Sequence, residues 1–228
     1  MNCKNCFSAF LASAVILICG NATGQNRNAP LAMNSSKTVA APGHYVPWKP
    51  IKESDITRHR RVWEDISLSE KNNDLFGPHN TGIALVNALI NGVMDARMLA
   101  YSPVDDRFTT GLKAEEFSAI TEKISNNNTH ITKFMIKEDS LWLNTGEVTV
   151  QIVGLAPVGY TTGPDGVIKE EPLFWVFYPD CRVYLSQYIA AGSYSWDDIL
   201  ERRSFTGKVT KVHETPPYTP PYKNTIRK

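Results

Sequence analysis

The sequence predicts an α+β protein: a single domain with a central antiparallel sheet of three or more strands within residues 131–186, covered by helices and flanked by extended N- and C-terminal arms. Three observations carry this. Val148, Val150 and Ile152 share one face at period two, opposite Thr149, Gln151 and Val153. Leu173-Phe174-Trp175-Val176-Phe177-Tyr178 is apolar or aromatic at every position, the pattern of a strand buried on both faces. Gly163-Pro164-Asp165-Gly166 between them is turn chemistry.

Taken in order, residues 1–24 read as a secretory signal: Lys4 supplies the positive start, and Phe7–Ile18 is apolar apart from small residues. That run is shorter than the ~20 apolar residues a membrane span needs. Ala22-Thr23-Gly24 places cleavage before Gln25. Cys19 suggests a lipoprotein as the rival, but bulky Ile18 stands where lipoprotein processing wants a small residue. Residues 25–50 form an extended arm, ending in His44-Tyr45-Val46-Pro47-Trp48-Lys49-Pro50. Trp48 there either tucks onto its own domain or docks on a neighbour; Tyr45 and Trp48 are candidate partner-binding residues.

The domain spans residues 51–212. Ser54 reads as an N-cap, and Ile56, Trp63 and Ile66 predict a helix ending near Asn72-Asn73, with Arg58-His59-Arg60-Arg61 on its solvated face beside Glu64 and Asp65. A second helix starts at Thr81 or Gly82 and is apolar nearly all round; Gly92 interrupts it. Met98–Tyr101 is a short strand or turn, Asp105-Asp106 an acidic turn, and Thr110–Ile124 an amphipathic helix with Leu112, Phe117 and Ile120 inward. Ile131–Leu143 alternates as a strand, so Ile131–Tyr178 predicts three consecutive antiparallel strands. Pro179-Asp180 breaks the pairing and Arg182–Leu185 resumes an extended run. Ser195 and Asp198 form a capping box for a last helix, with Trp196, Ile199 and Leu200 inward. Thr206–Val212 is one more strand. Residues 213–228 are a tail rich in Pro and Tyr, in which Tyr218 and Tyr222 are further candidate partner contacts.

The 228 residues are 42% hydrophobic, enough for a proper core. Cleavage at Gln25 removes one Lys and no acid, leaving 23 basic against 23 acidic residues. A neutral chain has no electrostatic reason to bind nucleic acid or an anionic membrane face, and nothing in its charge opposes self-association. Three of the four Cys leave with the signal; Cys181 remains, so the mature monomer has no internal disulfide.

No metal-ligand spacing, phosphate loop or nucleophile elbow is present, which points to no catalytic residues, no cofactor and no metal. His44, His59, His79, His130 and His213 are scattered. Cys181, with Arg182 lowering its pKa, is the best candidate for an exported enzyme, or it bridges two subunits; a partly buried inert thiol beside a strand end is the plainer reading. Glu138-Asp139 and Asp197-Asp198 read as solvated turn and helix cap. A small-ligand module is a third option, using an aromatic cleft from Trp175 and Trp196.

Several pieces in this order resemble the GldN/PorN family. They are Val46-Pro47-Trp48, Glu53-Ser54-Asp55-Ile56, Arg61-Val62-Trp63-Glu64-Asp65-Ile66 and Glu70-Lys71-Asn72. Ala100-Tyr101, Asp105-Asp106-Arg107-Phe108 and Ile136-Lys137-Glu138-Asp139 follow. The strongest are Val150–Pro157 and Pro172–Arg182, with Asp197-Asp198 and Arg202-Arg203-Ser204-Phe205 closing the series. The resemblance implies a non-enzymatic periplasmic subunit of gliding motility and the type IX secretion system. It also implies a ring built by self-association and with a GldK/PorK-like lipoprotein, contact with the periplasmic part of a GldM/PorM-like motor subunit, and membrane contact only through partners. Cys181 and the short Pro/Tyr-rich tail depart from the family pattern.

Overall fold

The computed structural model describes residues 45–77, 84–126, 129–162 and 166–215. The signal segment, Cys19, the Gly163–Asp165 part of the turn, and Tyr218 and Tyr222 lie outside the described residues. In chain order the elements are β1 (Ile56–Ser67), α1 (Leu85–Met94), β2 (Ala100–Tyr101), α2 (Ala114–Ser125), β3 (Ile131–Leu143), β4 (Val148–Thr162), β5 (Ile168–Pro172) and β6 (Trp175–Phe177). After these come α3 (Tyr178–Leu185), β7 (Ile189–Ala191), β8 (Tyr194–Ser195), α4 (Trp196–Glu201) and β9 (Lys208–Thr215). Six strands follow one another across the main sheet in the order β2-β6-β4-β3-β1-β9, and β5 also pairs with β4 to make seven. All its pairings are antiparallel.

The central ladder follows the sequence pattern. β3 occupies the expected Ile131–Leu143, and β4 opposes it from Ile131↔Gly159 to Trp142↔Val148. The third run is broken in two: β5 pairs with Val158–Thr162, and β6 pairs with Gly154 and Leu155 along the same edge of β4. Within Phe174–Phe177 the side chains alternate between two clusters. Phe174 and Val176 enter the larger core and Trp175 and Phe177 the smaller one, so this ribbon is buried on both faces.

The larger core lies between one sheet face and the helices. Ile66, Phe134, Ile136 and Leu155 meet Leu85 and Leu89 of α1, Phe117 of α2, Cys181 and Leu185 of α3, and Trp196 and Leu200 of α4. Phe117 meets Phe174 edge-on at 5.2 Å. Each such side chain contributes roughly 1.5–3 kcal/mol on full burial, which is why α1 is apolar nearly all round. Gly92 does not interrupt α1: it lies inside the helix, where a Cβ would stand 2.4 Å from Met98 Cε. α4 starts on the expected capping box; the Asp198 N–H donates to Ser195 Oγ at 3.1 Å and the Ser195 N–H to Asp198 Oδ2 at 3.0 Å.

The second face is covered by the loop after β2. Phe108, Trp63, Val153, Ala156, Trp175 and Phe177 form the smaller cluster. Between Lys137 and Glu138 the β3–β4 register shifts, leaving Val153 as the extra residue; beside it, a Cβ on Gly154 would be 2.6 Å from Phe108 Cζ.

Further expectations are corrected, beginning with Ser54, which lies inside the 3-10 turn Glu53–Asp55 and caps no helix. Residues 56–67 form a strand, not a helix, because β1 is an inner strand, paired with β3 on one side and β9 on the other. Asn73, expected at the helix end, is buried in a 3-10 turn; its amide donates to Ser67 O and Thr206 O and accepts the Thr206 N–H, each at 2.8 Å. After β6 the chain enters α3, not an extended run: Pro179 in the first turn favours a helix, its missing N–H being an orphan there anyway.

Candidate interaction site

The extended arm reaches the domain at α3. Arg182, 3% exposed, projects from α3 toward α4. Its Nε donates to Asp197 Oδ1 at 2.9 Å and its Nη2 to Asp197 Oδ2 at 3.1 Å, a two-pronged pairing. The same Nη2 donates to Val46 O at 2.9 Å. The guanidinium carbon lies 5.1 Å from the Tyr45 ring and 4.8 Å from the Trp48 ring. Trp48 Nε1 donates to Glu201 Oε2 at 2.9 Å, and its ring packs 6.3 Å from that of Tyr178. Tyr178 in turn donates to Asp197 Oδ1 at 2.7 Å. Burial, with Asp197 adding to it, pushes the Tyr178 phenol well above its usual range, so it stays a donor. Burial disfavours the Arg182 charge, but Asp197 and Glu201 outweigh it and hold the guanidinium above its ordinary value. Tyr45 and Trp48 are thus brought together, half-buried, on one arginine.

The remaining tempting charges are buried and paired. Glu138 and Asp139 are 4% and 2% exposed in the middle of β3, which corrects the solvated-turn reading. Glu138 and Glu64 both pair with Arg203, which enters from the turn after α4 with φ +54°. Burial raises the Glu138 carboxyl to about 7 against the pull of Arg203, with Glu64 adding to the rise. Asp139 accepts from Arg61 at 2.7 and 2.8 Å, and His59 Nε2 lies 2.9 Å from it. The Arg58–Arg61 stretch is therefore not a solvated helix face. On the second sheet face Lys137, 1% exposed, has its Nζ 3.5 Å from Asp106 Oδ1 and 5.3 Å from the Trp63 and Phe108 rings. Burial lowers this amine to about 8. Asp106 also accepts from Trp63 Nε1 at 2.8 Å. Asp197 is a buried ion-pair partner, and Asp198 is the helix cap.

These groupings hold elements together. Cys181 is fully buried in α3, not at a strand end, and its Sγ donates to Phe177 O at 3.2 Å. Burial, with Asp180 beside it, pushes the thiol far above its ordinary value, so Arg182 does not activate it. Trp175 and Trp196 belong to clusters on opposite sides of the sheet and form no common cleft. Among the described residues no group of three or more His, Cys, Asp or Glu is placed to hold a metal ion, and no helix is long and apolar enough to cross a membrane. The Asp105 carboxylate accepts the N–H groups of Arg107, Thr109 and Thr110, and hydrogen bonds from these neighbours hold its pKa low.

A shallow trough of about 250 Å³ opens on the second sheet face, its floor formed by Trp63, Met135 and Trp175 and its rim by Val104, Asp106 and Lys211. Lys211 Nζ lies 4.2 Å from the Trp63 ring. Sequence reasoning missed the trough and the anchoring arginines Arg182 and Arg203. A Pro opening α3 was the one local signal that could have placed Arg182 on a helix; the partners of Arg203 lie 65 and 139 positions away.

The profile of the family described as gliding motility associated protein GldN matches residues 51–223. No curated protein matches the chain.

Proposed function

Because the chain belongs to the GldN family, whose members are components of the gliding-motility and type IX secretion machinery, we propose that it is a structural subunit of that machinery working in the periplasm. In this reading residues 1–24 are removed as a signal and residues 51–212 form the subunit body. Residues 25–50 are one arm and the tail, residues 213–228, is the other; its first three residues, His213–Thr215, are the end of β9 and the remainder follows them. The subunit assembles by self-association into a ring with a GldK/PorK-like lipoprotein and touches the periplasmic part of a GldM/PorM-like motor subunit. It meets the membrane only through these partners, on the inner side of the outer membrane. Tyr45, Trp48, Tyr218 and Tyr222 are its partner contacts.

The family match carries the reading. The distribution of charge supports it: the buried carboxylates Glu138, Asp139 and Asp197 are each spent on an arginine of the same domain. Co-expression of the mature chain with its lipoprotein partner, followed by size exclusion, tests it. The expected result is one stoichiometric peak containing both. Separate elution of the two overturns it.

A further inference from the structure

We propose that the trough on the second sheet face is a receptor for the tail segment Pro216–Tyr222 of a second copy of this chain. The inference extends the structural-subunit reading and rests on it.

The first observation is shape. Trp175, Met135, Trp63 and Lys211 lie on β6, β3, β1 and β9, so the trough runs across the strands. From β6 to β9 there are four inter-strand steps, about 19 Å in all at ~4.8 Å each. A polyproline helix rises 3.1 Å per residue, so about six residues fill that length. Pro216-Pro217-Tyr218-Thr219-Pro220-Pro221-Tyr222 is a seven-residue segment of that composition. Such a segment enters binding with little backbone freedom left to lose.

The second observation is chemistry. Val104, on the rim, is 91% exposed, an apolar side chain in water above a floor in which the Trp63 and Trp175 rings are 8% and 2% exposed. Pro and Tyr rings suit such a surface. A polyproline backbone leaves its carbonyls unpaired, and Lys211 offers donors at the β9 end. Asp106, whose side chain is 32% exposed, gives the rim a carboxylate, the charge that suits the lysine at position 223 after Tyr222. The neutral mature chain sets up no long-range repulsion between copies.

The third observation is reach. Lys211 pairs with Trp63 and Thr215 with His59, so β9 carries the chain about 13 Å past the trough before the tail begins. A tail returning to its own trough uses about four residues on the way back, and the two Pro-Pro-Tyr units can no longer both lie in it. A second copy carries no such constraint. Donor tail and acceptor trough are different surfaces, so the joint is head-to-tail and each copy keeps one of each free.

Sedimentation velocity of the purified mature chain, without any lipoprotein, tests this separately from the co-elution experiment. The wild type is expected to self-associate between roughly 1 and 200 µM, and a synthetic peptide of residues 214–228 to compete. Val104→Asp and the double change Tyr218→Ser/Tyr222→Ser should each weaken association at least tenfold. Val104 is exposed and the tyrosines lie beyond β9, so the melting temperature checks that both variants fold. Mixing them should restore a dimer and nothing larger, because one retains only the tail and the other only the trough. A wild type that stays monomeric overturns the proposal, as does association or peptide binding indifferent to Val104→Asp. A monomer that binds peptide only after its own tyrosines are replaced also overturns it, by placing the tail in its own trough.

Discussion

Replacing Arg182 by Met removes one cation from the junction of arm, α3 and α4 and leaves its partners in place. The variant loses the two bonds to Asp197, the bond to Val46 O, and the charge between the Tyr45 and Trp48 rings. Asp197, 4% exposed, then keeps the Tyr178 hydroxyl at 2.7 Å but no cation. Breaking a buried pair by removing one partner costs about 3–5 kcal/mol, mostly because the other charge is stranded. In a domain of this size 1 kcal/mol moves the melting temperature by about 2–4 °C, so Arg182→Met should melt roughly 6–20 °C lower. Arg182→Lys should fall between, since lysine keeps the charge but not the fork. The double variant Arg182→Met/Asp197→Asn should recover part of the loss, because Asp197, the more deeply buried of the two carboxylates that face Arg182, no longer carries a charge; Glu201 still does. Limited proteolysis should cut residues 45–50 sooner in Arg182→Met. Scanning calorimetry with urea titration reads these differences. A loss below 1 kcal/mol for Arg182→Met, or a double variant no better than the single, refutes the claim that this arginine fastens the arm.

Glu138 gives the pH dependence its sign. Its folded-state pKa of about 7 lies above the ordinary 4.5, so in between the folded chain holds a proton that the unfolded chain has released. Its contribution to stability therefore falls as pH rises from about 4.5 to about 7. Relative to wild type, Glu138→Gln should gain up to about 3 kcal/mol between pH 4 and pH 8, read by urea unfolding; a difference that is flat with pH refutes it. Cys181 should ignore thiol reagents in the native protein at pH 8 and react fully in urea, and the mature chain should form no reducible dimer on gels. Gly154→Ala pushes a methyl against Phe108 and should cost about 1–3 kcal/mol in the same titration.

How much was legible in the sequence depends on where each element's partners lie. β3 and β4 could be read because both alternate and follow each other through a short turn. α2 and α4 carry local signals, namely an apolar stripe and a Ser-Asp cap. β1 misled because Ile56, Trp63 and Ile66 fit a helical period, while a strand buried on both faces gives no clean alternation. Its polar residues face distant partners: Arg61 meets Asp139, and Glu64 meets Arg203, 139 positions on. Nothing local distinguishes such a charge from a solvated one. The trough escaped for the same reason, being assembled from five separate strands and a loop.

The last strand of the sheet lies beside the first. β9 pairs with β1, joining residues about 150 positions apart. Closing so long a loop is slow to be rewarded in folding, and contacts of this span set the pace of the whole domain. Until residue 215 has been made, β1 remains an open sheet border and Trp63 lacks the cover of Lys211. β9 itself buries no described side chain, so its arrival adds the hydrogen-bonded closing of that border and no share of the core.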